Sequence, residues 1–141
     1  MKTKPSKRLQ DEVFPGFTER SERGRTSRAR GVGFERAIAK KLKVAWRGAK
    51  RSFGQARDGN EVPDIVGTDF WIECADGKTR TIHEKLCQAI EDSKSSPSQY
   101  AMLPPIVISH HVQRGLTMVT MRLEDFIAIA NQLKVLRHGD L

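Results

Sequence analysis

Two acids in one short stretch of this 141-residue chain are placed to do chemistry. Asp64 follows Pro63 at the head of the run Asp64-Ile65-Val66-Gly67, and Glu73 sits near the end of the next, Phe70-Trp71-Ile72-Glu73-Cys74. The β-branched and aromatic content of both runs, with Thr68-Asp69 between them, predicts an antiparallel hairpin turning over Gly67–Phe70. In that pairing the two carboxylates emerge at one end of the hairpin. Side chains alternate along a strand, so positions 71, 73 and 75 share a face. Mg²⁺ takes one or two such carboxylates and leaves its other positions to water and a substrate phosphate. Plainer readings stay open here: Asp64 as a turn residue, Glu73 as a solvent-facing strand residue. Against the second stands the apolar run around Glu73, where an unpaired charge is costly.

The charge pattern supplies a partner for such a site. The net formal charge is +8, and residues 1–57 carry 17 Lys/Arg against 5 Asp/Glu, while residues 58–141 carry 8 against 12. Between Arg36 and Arg57 there are eight basic residues and no acidic one. A stretch of one sign attracts a polyanion and releases its counterions on binding, which points to nucleic acid; a solvated helix face is the bland alternative. A bound cation would let acidic groups face DNA within a basic surface.

The elements that must carry these residues follow from periodicity. Residues 1–30, rich in Lys, Arg, Ser and Glu, predict a flexible basic arm. A domain over 31–141 opens with a helix near Gly33, its stripe formed by Phe34, Ala37, Ile38, Leu42, Ala45 and Trp46. A short strand near Lys50–Phe53 precedes the hairpin. A second helix is expected after Thr81, with Thr81 and Glu84 at capping-box spacing and Ile82, Leu86, Ala89 and Ile90 as its stripe. Ser93 to Pro105 reads as a surface loop, followed by strands over Pro105–His110 and Leu116–Met121. A last helix covers Leu123–Leu133. The order predicts an α/β fold, a mixed central sheet flanked by helices.

Composition narrows the class. Apolar residues make up 38% and charged residues 30%. No apolar run approaches the ~18–20 residues of a membrane span, and the first residues lack the apolar block of a secretory signal. Cys74 and Cys87 form no C-x-x-C pair and predict reduced thiols in a cytoplasmic protein. Cys74, His83, Cys87, His110, His111 and His138 are badly spaced for zinc. No nucleophile elbow, P-loop or dinucleotide glycine pattern is present.

Pro63-Asp64 followed by Ile72-Glu73-Cys74-Ala75 resembles the signature of the PD-(D/E)XK nuclease superfamily, in which a Pro-Asp precedes Glu-x-Lys. Gly31-Val32-Gly33-Phe34-Glu35-Arg36 opening a helix, then a basic stretch before the Pro-Asp, is similar to Holliday-junction resolvases of the archaeal and phage type. The likeness covers about residues 31–92, with Met121–Phe126 as weaker support. It implies a restriction-endonuclease-like core and a Mg²⁺- or Mn²⁺-dependent endodeoxyribonuclease. Its partners would be four-way or other branched DNA, and two symmetric cuts imply a homodimer in the cytoplasm, the host's if the chain is phage-encoded. Asp64, Glu73 and the Cys74 backbone carbonyl would ligate the metal, with Glu35 reaching it directly or through water. Gln88 would hydrogen-bond within the site. Arg36, Lys40, Lys50 and Arg51 would hold phosphates, and Phe53, Gln55 and Arg57 would extend that DNA-binding surface, Phe53 as a stacking ring.

The departure is Ala75, where the family has lysine. Three explanations compete: deliberate removal, natural loss leaving a binder, or supply of the amine by Lys78 or Lys85. The retained carboxylates favour an inactivated form of an active enzyme. The alternatives are a related nuclease acting on flaps, ends or duplex, and a non-catalytic DNA-binding protein.

Overall fold

The computed structural model describes residues 17–53, 61–76, 79–96 and 99–139. They fall into two compact units, one ending at Gly33 and the other beginning at Phe34. Helix α1 spans Phe17–Leu42, β1 Lys50–Arg51, β2 Ile65–Val66 and β3 Trp71–Asp76. Helix α2 spans Thr79–Ser95, β4 Pro105–His111, β5 Leu116–Met121 and α3 Leu123–His138, with a 3₁₀ turn at Val112–Arg114. The strands form one sheet in the order β1-β2-β3-β4-β5. β3 and β4 run parallel through the α2 crossover, and every other pair is antiparallel. The fold is α/β with a mixed sheet. No helix among the described residues is long and apolar enough to cross a membrane.

Alternation along β3 and β4 divides the core. Ile72, Cys74, Ile106 and Ile108 pack with Ile38 and Ala39 of α1 and with Ile65. On the opposite face, Ala75 and Val107 pack against Ile82 and Leu86 of α2. Short apolar positions on both faces are what a central strand pair covered on both sides requires. The β2–β3 turn is fixed by a close approach: Gly67 has φ +81°, and a Cβ there would lie 2.1 Å from the Gly48 carbonyl oxygen. The indole Nε1 of Trp46 donates to Asp69 at 2.8 Å, and its ring meets Phe70 edge-on at 5.8 Å, so the turn is pinned from outside.

Several boundaries differ from those expected. α1 begins at Phe17 rather than near Gly33, so residues 17–30 are helical and not a flexible arm; residues 1–16 lie outside the described residues. Residues 17–30 hold five arginines and two glutamates, which are good helix formers, and no apolar stripe. α1 stops at Leu42, which leaves Ala45 in the following turn; Ala37 is exposed, and Ala39 takes the buried position beside Ile38. α2 starts at Thr79, so Thr81 lies inside it and is no cap. It also runs through Ser93, which is buried and donates its hydroxyl to the Leu103 carbonyl at 2.7 Å, so part of the expected loop is helix. α3 continues to His138.

Candidate active site

The β2–β3 ladder builds the centre of the site. Ile65 pairs with Ile72, and Asp64 stands just ahead of that pair, at the end of the ladder beside Glu73. The two carboxyls are near enough to interact directly and line one cleft. The Asp64 backbone is held on both sides: its N–H donates to the Ile72 carbonyl and its carbonyl accepts from the Ser52 N–H, each at 2.8 Å. Its Oδ2 accepts from the Cys74 N–H at 2.8 Å, which ties the side chain to β3. Glu73 Oε1 accepts from the indole Nε1 of Trp71 at 3.0 Å. Trp71 is therefore a core residue with its polar edge spent on orienting Glu73, not a stacking platform.

Around this pair lies an open cleft of about 340 Å³. Its walls include Glu35, Arg51, Ser52, Glu61, Val62, Pro63, Asp64, Glu73, Lys85, Gln88 and Asp92. Five carboxylates share it with two basic side chains. Glu35 is ion-paired with Arg51. Gln88 donates through Nε2 to Asp92 at 2.9 Å. Lys85 reaches from α2 to donate its Nζ to the Cys74 carbonyl at 2.5 Å.

Electrostatics record the crowding. Burial first, and then the facing Asp64 charge, push the Glu73 carboxyl up to about 8, against the pull of the Trp71 hydrogen bond and the Lys85 ammonium. Burial, with the charges of Asp64 and Glu35, raises the Cys74 thiol too, so it stays protonated. A buried carboxyl pushed up by a neighbouring carboxylate is a physical fit for Mg²⁺ or Mn²⁺, which accept one or two carboxylates and keep water in the remaining positions. Among the described residues no group of three or more His, Cys, Asp or Glu side chains is spaced as a ligand set. The fit is therefore to the Asp64–Glu73 pair, with Glu35 bound to Arg51 behind it.

The structure thus brings Glu35, Asp64, Glu73, Gln88 and Arg51 of the expected residues into one cleft. It leaves others outside. Ala75 is buried among Ile82, Leu86 and Val107 and does not line the cleft. Lys50 alternates with Arg51 on β1 and lines a separate hollow beside Gly67 and Tyr100, away from the carboxylates. Arg36 and Lys40 are exposed on α1 and Phe53 is 95% exposed, none of them in the cleft wall. Gln55, Arg57 and Lys78 lie outside the described residues. Sequence reasoning missed Asp92 and Glu61. Lys85, Gln88 and Asp92 recur at helical spacing on one face of α2, a signal that was available. No family model, curated protein or solved structure matches the chain.

Proposed function

We propose that the chain is a divalent-metal-dependent endodeoxyribonuclease of the PD-(D/E)XK type, acting on four-way DNA junctions. The observation that carries this reading is the Asp64–Glu73 carboxyl pair gathered in one cleft, with the Lys85 ammonium 2.5 Å from the Cys74 carbonyl beside it. Asp64 and Glu73 are the residues that would hold Mg²⁺ or Mn²⁺, which when bound supplies Lewis acidity and lowers the pKa of its water. The rest of the chemistry belongs to the chain's own groups. The Cys74 N–H and the Trp71 indole fix the two carboxylates in place. Lys85 is the amine that position 75 lacks: it sits on the same sheet face, where it orients the attacking water and offsets charge on the scissile phosphate. Attack forms a bond from the water oxygen to phosphorus as the water gives up a proton to solvent, and the bond from phosphorus to the leaving sugar oxygen breaks, that oxygen taking up a proton. This favours an active enzyme over the inactivated form, because the amine has come from the neighbouring helix.

Exposed Arg36 and Lys40 on α1 are suited to tracking phosphates outside the cleft, so recognition would follow junction shape more than base edges. The test is cleavage of a four-way junction by the full chain in Mg²⁺. Wild type is expected to cut it, and Lys85→Met to cut ~10²-fold more slowly, the usual scale of a positioned proton-transfer or charge-stabilising group. Junction binding should stay within a few-fold. No cleavage of any DNA by wild type in Mg²⁺ or Mn²⁺ would leave a binding protein. Equal affinity for junction and linear duplex at fixed salt would remove the junction from the proposal.

A further inference from the structure

A second hollow lies further along β1 and β2 from the cleft. Lys50 and Val66 are cross-strand partners on those strands, and both line it. Val66 is two residues on from Asp64, about 7 Å at the rise of a strand. The hollow measures about 420 Å³, larger than the cleft and within the roughly 300–1,000 Å³ of small-ligand sites. Buried Val66 and half-buried Leu103 give it an apolar part, beside Tyr100, the chain's single tyrosine. Lys50 is exposed and makes no ion pair among the described residues. The loop that carries Tyr100 and Leu103 is held under strain. Between them Met102 takes φ +63°, a left-handed conformation that a residue with a side chain keeps when its surroundings impose it. Its N–H donates to the Ser93 carbonyl at 2.9 Å, and the buried Ser93 hydroxyl donates to the Leu103 carbonyl at 2.7 Å. Backbone strain of this kind collects at ligand clamps. Gly48 and Gly67 also line the hollow, and without side chains they leave backbone open to a ligand.

We propose that this hollow receives one unpaired nucleotide of the bound DNA strand, its base stacked on Tyr100 and its phosphate held by Lys50. The ligand rests on the nuclease reading. Arg51 follows Lys50 on β1 and lines the cleft, so a strand with one phosphate at Asp64 and Glu73 brings a neighbouring nucleotide to the hollow. An aromatic ring beside apolar side chains accepts any base through its π-face, and an ammonium takes the phosphate as a point charge. A base inside a duplex cannot enter without being extruded, so the hollow adds a preference for DNA whose pairing is interrupted beside the cut.

The test is binding of a short oligothymidylate to the full chain without metal, followed by fluorescence anisotropy across a salt series. Tyr100→Leu should weaken binding by about 5- to 100-fold, the loss of one stacked base, and Tyr100→Phe should bind as wild type does. Lys50→Met should lower the slope of log affinity against log salt by about 0.7, one phosphate contact of a single strand. An abasic oligonucleotide should bind wild type and Tyr100→Leu equally, whereas a damaged fold would weaken both ligands. Wild type that binds no oligothymidylate overturns the proposal. So does a Tyr100→Leu protein that binds it as tightly as wild type, or weakens on the abasic strand too, or a Lys50→Met protein with an unchanged salt slope. Thymidine monophosphate binding more tightly than the oligonucleotide would make a free nucleotide the ligand and overturn the strand. If these losses are seen and no DNA is cut in Mg²⁺ or Mn²⁺, the nuclease reading fails and the hollow stands. If junctions are cut and the losses are missing, the hollow alone fails.

Discussion

Two regions of this molecule invert the normal partition of residues, in opposite directions. In the cleft between β2, β3 and α2, the acids Asp64 and Glu73 come together with Lys85 beside them. On β5 and α3, Leu, Ile, Met and Phe stand in water with no buried residue in the helix. Burying charge and exposing apolar surface each cost free energy, so neither arrangement stabilises this chain taken alone. The difference lies in what relieves the cost. The cleft holds five carboxylates against the two cations Arg51 and Lys85, an imbalance that a divalent cation would relieve. The C-terminal face leaves the apolar side chains of β5 and α3 exposed.

If the two regions are independent, a change in one should leave the other untouched. The largest effect is expected from Asp64→Asn, which removes a metal ligand while keeping the hydrogen bond from the Cys74 N–H. Mg²⁺-dependent cleavage should fall by roughly 10³-fold or more, with the sedimenting mass unchanged. A fall in mass would couple the regions and break the comparison.

Glu73→Gln sharpens it next, through pH. In metal-free protein the Glu73 carboxyl sits at about 8 against an ordinary 4.5. Between those values the folded chain holds a proton that the unfolded chain has released. Its contribution to stability is therefore complete below about 4.5 and declines as pH rises towards 8. The glutamine variant should lose that slope and unfold at higher denaturant above pH 8, by roughly 2–4 kcal/mol. Parallel pH curves for the two proteins would mean that the acid pair is not under strain.

The smallest effect is expected from Ala75→Lys. Ala75 is packed by Ile82, Leu86 and Val107, so the longer side chain should overfill the core and cost about 1–3 kcal/mol in denaturant melts. Cleavage should not rise, because Lys85 already occupies the role. A large gain in activity would instead favour a lysine lost from position 75.

Much of this was legible in the sequence. The strand limits of β5 were read correctly, and those of β4 to within one residue. The β-branched and aromatic content of the two runs and the short turn between them also set Asp64 and Glu73 on one hairpin. Period-2 alternation places Lys50 and Arg51 on opposite sides, which a count of basic residues ignores. The early start of α1 carried no signal in hydrophobic spacing, since residues 17–30 hold no apolar stripe. Lys85 was one of two lysines named to replace the missing amine. Its reach to β3 depends on how α2 packs against the sheet, a property of tertiary packing, and Lys78 lies outside the described residues. The exposure of α3 was illegible too: its stripe reads as core, and spacing alone does not say whether a stripe is covered.

The central claim is that the Asp64–Glu73 pair receives a divalent cation, and calorimetric titration of Mn²⁺ into the metal-free chain at neutral pH tests it most directly. The account predicts saturable binding in wild type, accompanied by proton release from Glu73 and abolished in Asp64→Asn. Binding that is absent in wild type, or that survives unchanged in Asp64→Asn, would contradict it.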